Sequence, residues 1–140
     1  MMTSLIQLLF RAGWAPLAVL ILHAVVAKTP FRGPLDFAMH FSGGAAMAYF
    51  LFEAQRCFQE FLGNLTPLAR YLLAFALACS VGVFWEFGEW FSDIFLQTHL
   101  QKSLPETMSD LLADTVGAVT ALTVVAMVRG RSDSSKQSSP

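Results

Sequence analysis

Charge is what this chain has least of. Asp, Glu, Lys and Arg make up 14% of its 140 residues, where a soluble domain carries about 25%. That shortage argues against a globular domain whose main solvent is water. The basic residues are scattered, the net charge is −1 and no basic block stands anywhere, so an electrostatic nucleic-acid surface is excluded. Cysteine is nearly absent. Cys57 and Cys79 have neither metal-type nor disulfide spacing, and Cys79 reads as a small packing residue inside a helix. Enzyme templates are missing too: there is no Gly-rich phosphate loop, nucleophile elbow or H-E-x-x-H. Nor is there the D-x-x-D-G-x-x-A-R run of the alcohol phosphotransferases.

What fills the chain instead is apolar. Hydrophobic residues make up 55%, the mean hydropathy is +0.54 and there are thirteen Phe. Trp14, Trp85 and Trp90 suit membrane interfaces. At about 20 residues per span, the reading is an all-α, polytopic membrane protein, about four transmembrane helices in a compact bundle. Residues 1–128 form a single domain with helices at about 5–27, 36–53, 70–92 and 106–128, and residues 129–140 form a disordered cytoplasmic tail. The first segment needs Arg11 to snorkel and has Pro16 near the start of its apolar run. A cleaved signal peptide ending at Val25-Val26-Ala27 competes with it, although the rest of the chain is itself membrane-embedded. Prolines and glycine in KTPFRGPL (28–35) and Gly63, Asn64 and Pro67 mark loops. Pro105 and Glu106 suit a helix start.

Against this background the acidic residues stand out. Val83 to Ala118 holds Glu86, Glu89, Asp93, Asp110 and Asp114 and, with Glu106, six of the ten in the chain. Glu86, Glu89 and Asp93 follow a 3-then-4 spacing, and Asp110 and Asp114 are one turn apart, so each set shares a helix face. The seams extend as Cys79, Gly82, Glu86, Glu89, Asp93 on the third helix and Thr107, Asp110, Asp114, Gly117, Ala121 on the fourth. In the second helix, Asp36 and His40 lie on the i, i+4 line of Gly44 and Ala48. A small-xxx-small pair admits a neighbouring helix, so Asp36 and His40 should face protein rather than lipid.

With four spans, Arg11, Arg56, Arg70, Arg129, Arg131 and Lys136 share one side of the bilayer, and Lys28, Arg32 and Lys102 the other. The positive-inside rule then places both termini in the cytoplasm. Asp36 and His40 open the second helix, Glu86, Glu89 and Asp93 close the third, and Asp110 and Asp114 open the fourth. Three helices thus bring their polar residues to one depth whichever way the protein is oriented, and with both termini inside that depth is in the outer half.

Six carboxylates and one imidazole crowded at that depth cannot all be bare ions. They share protons or hold a cation. The candidate metal set is Asp36, His40, Glu86, Glu89, Asp93, Asp110 and Asp114. Mixed carboxylate and histidine ligation suits Zn²⁺ or Mn²⁺ better than Ca²⁺, and an all-oxygen subset suits Mg²⁺ or Ca²⁺. A structural reading stands beside it. Asp36 and Asp110 lie in first turns, where carboxylates favour the helix dipole, and Glu106 fits that role alone. His23 reads as a lone polar residue in a packed helix, and His99 as a loop residue.

DFAMH (36–40), WEFGEW (85–90) and DLLADTVGA (110–118) resemble the YjdF-like small integral membrane proteins of bacteria, within the broader VanZ-like group. The pattern is an Asp/His helix, a WE-x-x-EW helix and a D-x-x-x-D-T-x-GA helix, over about residues 36–118. The resemblance implies a multi-pass protein of the bacterial cytoplasmic (inner) membrane and little mechanism. The linker LQTHLQKSLPET departs from that pattern, lacking its acidic, Trp-containing connection. Three functions follow. The site binds a divalent cation and acts on a lipid or envelope phosphate; the protein is a non-catalytic assembly partner whose acidic cluster serves packing; or it is an ion- or proton-coupled transporter, which four helices would build only as a homo-oligomer. Polar residues stop at Cys79 and Ala121, against transport. The lipid bilayer is the expected partner, and whether the protein is an enzyme stays open.

Overall fold

A computed structural model describes the backbone of residues 2–137 and the side chains of residues 5–31 and 33–131. All regular structure among these residues is helical. α1 (Met2–Leu8), a π-helical turn (Leu9–Gly13) and α2 (Trp14–Val26) follow one another without a break. Then come α3 (Arg32–Cys57), the single turn α4 (Gln59–Leu62), α5 (Pro67–Leu96) and α6 (Leu104–Gln137). Three segments are long and apolar enough to cross a membrane: Leu5–Val26, Pro67–Leu96 and Leu104–Arg131.

The expected second span, α3, differs. Its 26 residues reach about 39 Å, ample for a crossing, but Asp36, His40, Glu53, Gln55 and Arg56 dilute its apolar character. Its position explains why. α3 lies against α2, α5 and α6, so its polar groups meet protein instead of acyl chains, and the hydropathy demanded of a lipid-facing helix does not apply to it.

Shared neighbours give the directions. The core joins Ala48 and Phe52 of α3 to Ala74 and Ala78 of α5 and to Ala118 and Leu122 of α6. Rising numbers on α3 and α6 meet falling numbers on α5. The pairing of Trp14 with Tyr49 and of His23 with Trp85 sets α2 antiparallel to α3. The bundle therefore runs up, down, up, down. Around this small-residue core, Phe10, Leu17, Ile21, Phe84, Leu112, Val124 and Met127 are exposed, an arrangement suited to hydrocarbon and not to water.

Glycines bring α3 and α6 together. A Cβ on Gly44 would run into the backbone of Asp114, and one on Gly117 into the carbonyl of Phe41. The two helices cross almost backbone to backbone. Helix ends are set locally. Thr66 caps α5, accepting from the Ala69 N–H at 3.2 Å with Pro67 following, so α5 starts three residues before the expected position 70. Ser103 Oγ accepts from the Glu106 N–H at 3.3 Å, and α6 starts at Leu104. The π-helical turn comes just before Pro16, which has no N–H to give the carbonyl of Ala12.

α6 also continues beyond 128, through Arg129, to Gln137; residues 138–140 of the expected tail lie outside the described residues. Arg129 belongs to the bundle. Its Nη2 donates to the buried Glu53 Oε1 at 2.5 Å, and its guanidinium lies 4.5 Å from the centre of the Phe52 ring. Arg56 Nη1 stands 3.7 Å from the same Glu53 oxygen. Breaking a buried ion pair costs about 3–5 kcal/mol. Because the Arg129 side chain is 35% exposed and Arg56 stays near, Arg129→Ala should cost about 2 kcal/mol. Thermal unfolding in detergent checks it, and a melt equal to wild type would show the pair to be idle.

Candidate functional site

At the opposite end of the same core, three helices contribute four side chains. α3 gives His40, α5 gives Glu86, and α6 gives Asp110 and Asp114. All four are buried, at 6%, 4%, 5% and 7% exposure. His40 Nδ1 stands 3.4 Å from Asp114 Oδ2 and 3.9 Å from Glu86 Oε1, while His40 Nε2 stands 3.9 Å from Asp110 Oδ2. The imidazole is therefore the hub, with carboxylates on both of its nitrogens. When Nδ1 carries the proton it donates to Asp114, and Nε2 then turns a lone pair towards Asp110.

Space for this arrangement comes from what the neighbouring positions lack. A Cβ on Gly82 would lie 2.7 Å from Asp114 Oδ2, so the carboxylate occupies the room that glycine leaves on α5. The Gly44 crossing places the backbone of Asp114 directly on α3. On α5 the buried row is Ala74, Ala78, Gly82 and Glu86. It is an i+4 row, which winds around the helix rather than following the alternating 3, 4 seam. Glu86 falls on it and Glu89 lies beside it.

The seven expected site residues thus separate. His40, Glu86, Asp110 and Asp114 meet. Asp36 is half-buried, with Lys102 Nζ at 3.8 Å. Glu89 Oε1 accepts from Trp85 Nε1 at 3.1 Å, one turn away on its own helix. Asp93 fastens the linker: Oδ1 accepts from Thr98 Oγ1 at 2.5 Å and the Leu100 N–H at 2.7 Å, and Oδ2 accepts from the Gln101 N–H at 2.9 Å. Gln97, with φ of 52°, turns the chain out of α5. His23 packs edge-on against Trp85, and Cys79 Sγ lies 4.0 Å from Thr115 Oγ1 as a packing contact.

One site residue was not singled out from the sequence. Gln101, held in place by Asp93, extends its side-chain amide over the cluster, and Nε2 donates to both Glu86 O and Glu86 Oε2 at 3.2 Å. The linker, though it departs from the acidic, Trp-containing pattern, does furnish a group to the site. Nothing in LQTHLQKS distinguishes Gln101 from Gln97; only the turn imposed by Asp93 does. Lys102 lies between Asp36 and Glu106, its backbone N–H donating to Glu106 and its ammonium paired with the same carboxylate.

Among the described residues two buried side-chain oxygens accept no hydrogen bond, Gln55 Oε1 far from the cluster and Glu86 Oε1 within it. A buried carboxylate oxygen left this way costs on the order of 1–3 kcal/mol or more. His40, Glu86 and Asp110 each offer one ligand atom, and those atoms lie within 4.8 Å of one another. A tetrahedral zinc with ~2.1 Å bonds keeps its ligands ~3.4 Å apart, so donor atoms spread over as much as 4.8 Å must draw together by up to about 1.4 Å to share one ion. Asp114 on the second imidazole nitrogen is the outer carboxylate that orients many metal-bound histidines.

No solved structure is similar to this chain. An uncharacterized protein of Thermotoga maritima is 32% identical over 91 residues, which is 64% of this chain and 46% of that protein. The chain therefore spans about half the length of the curated relative it matches. Neither that protein's description nor the family's carries a YjdF-like or VanZ-like name. The family described as Predicted membrane protein (DUF2238) matches residues 5–131, essentially the whole helical bundle around this cluster, and the chain belongs to that family.

Proposed function

We propose that this membrane protein binds one divalent cation at His40, Glu86 and Asp110, with Asp114 orienting the imidazole, and uses it to engage a phosphate oxygen of a lipid or envelope molecule. The observation that carries the reading is the buried Glu86 Oε1 without a donor. A cation supplies the missing partner and also neutralises three carboxylates crowded around one imidazole. A histidine with carboxylates favours Zn²⁺ or Mn²⁺, with Mg²⁺ behind them. Three protein ligands leave coordination positions for an anionic oxygen, and such an ion polarises phosphoryl groups. A place in the cytoplasmic membrane of a bacterium, with both termini inside and the site in the outer half, follows from the motif resemblance and the Lys/Arg distribution.

A transport path is disfavoured by the apolar core of Ala48, Phe52, Ala74, Ala78, Ala118 and Leu122, which lies between the cluster and the Glu53–Arg129 pair. The test is metal analysis of detergent-purified protein washed with chelator and reloaded with zinc or manganese. Wild type should retain about one ion per chain, and Glu86→Gln and Asp110→Asn should lose about tenfold or more in affinity. Equal, negligible metal in all three proteins would remove the cation.

A further inference from the structure

A cavity lies beside the cluster, between helices. It measures about 250 Å³ and runs between α2, α3 and α5, lined by Val19, Leu20, Met39, Met47, Ala78 and Val81 along its length. Its polar lining residues, His23, His40 and Asp114, gather towards one end, where Trp85 also stands. Small residues leave it unfilled: Gly43, Ala46, Ala78 and Gly82 present no side chain long enough to close it. α2 approaches α3 closely but not α5, and the edge-to-face contact of His23 with Trp85, 5.2 Å between ring centres, bridges the gap at the polar end. Leu17, Leu20 and Ile21 on α2 are exposed.

We propose that this cleft holds one acyl chain of a membrane phospholipid, so that the ligand of the cluster is a lipid entering laterally between α2 and α5. The chain lies along Met47 and Ala78, and the headgroup lies at His40 and Asp114. The placement of the headgroup rests on the cation reading; the acyl chain rests on the cleft alone.

Width and solvent choose the occupant. A helix is ~10 Å wide, and one from a second copy lying along the cleft would have to part the His23–Trp85 contact that bridges α2 and α5. A single acyl chain is much thinner and would not. Hydrocarbon is the fluid around this family's bundle, and an apolar void beside it gains dispersion contacts when a chain fills it. Burial of apolar surface supplies no selectivity there, because acyl chains are as apolar as the cleft wall. Selection must come from the polar end, where the His40 imidazole and Asp114 line the cavity and a cation held by His40 would draw a phosphate.

Photolabelling of the full-length protein in nanodiscs of phosphatidylethanolamine and phosphatidylglycerol tests both parts. The probes are phosphatidylglycerol and diacylglycerol, each with a diazirine in mid-chain, used with zinc and with chelator. Adducts are located by mass spectrometry. In wild type, phosphatidylglycerol adducts at Met39, Met47 and Val81 should exceed those at the outward-facing Leu77, Val124 and Met127 about tenfold, with or without zinc. Val19→Trp and, separately, Val81→Trp should remove that excess and leave the outer adducts unchanged. Even labelling of cleft and outer surface, or chain-to-chain cross-links seated in the cleft, would overturn the acyl-chain site. With zinc, the phosphate-bearing probe should outlabel diacylglycerol in the cleft about tenfold; equal labelling by the two would overturn the headgroup placement. Because the chelated sample reads the cleft without any ion, loss of the cation reading and loss of the lipid site give different results.

Discussion

Gly44→Ala is expected to cost about 3 kcal/mol or more, the largest effect of any single methyl in the bundle. Overpacking a tight core usually costs about 1–3 kcal/mol because flexible side chains can yield. Here the added carbon meets the backbone of Asp114, carbonyl and Cα together, and no rotamer change relieves it. α3 and α6 must separate, and with them His40 and Asp114. Gly117→Ala, which meets the carbonyl of Phe41, should behave alike. Gly88→Ala is the control. Nothing lies within 4 Å of its added carbon, so it should be neutral or gain about 0.5–1 kcal/mol as an ordinary helix substitution. Thermal unfolding followed by far-UV circular dichroism compares the three variants. If Gly44→Ala melts with wild type, the close crossing does not exist. Gly82→Ala divides stability from the site: its carbon meets the flexible end of Asp114, which can swing away. Stability should change little, and cation affinity should fall about 10–100-fold as the carboxylate leaves His40.

Much of this was legible in the sequence because lipid simplifies the reading. Apolar length gave the spans, and the Gly44/Ala48 pair on the line of His40 gave the face that meets a neighbour. The convergence of His40, Glu86, Asp110 and Asp114 followed from which ends of alternating helices must share a depth. Four features were hidden. Glu89 and Asp93 sit on the same nominal seam as Glu86, but the buried row on α5 advances four residues at a time and leaves the seam behind. A crossing angle decides that, and it depends on partners distant in the chain. Asp93 looked like a ligand and is the staple of a turn, because a carboxylate just before a helix end finds backbone N–H groups closer than any ion. Arg129 opens a polar stretch and so read as tail, yet Glu53, 76 residues earlier, gives it a place in the bundle. Gln101 had no signal, since its position depends on the fold of the linker.

Glu86→Gln should separate the cation reading from a purely structural one, because only the cation reading predicts a sign that changes when the ion is added. With chelator present, Glu86→Gln removes one negative charge from a dry cluster that holds Asp110, Asp114 and His40. Removing a like charge from such a site stabilises, by about 1–2 kcal/mol. With zinc at a hundred times its dissociation constant, wild type should gain about 2.7 kcal/mol, and Glu86→Gln should gain little. The order of melting temperatures then reverses on adding the ion. A cluster that only packs helices would leave the order of melting temperatures the same with chelator and with zinc, and it would never cross. Acid supplies the sign check. Imidazole and carboxylates bind a metal only after losing their protons, so the zinc-induced rise in melting temperature must shrink as the pH is lowered and return when it is raised. A rise that persisted unchanged in acid would mean that the ion binds somewhere other than at His40, Glu86 and Asp110.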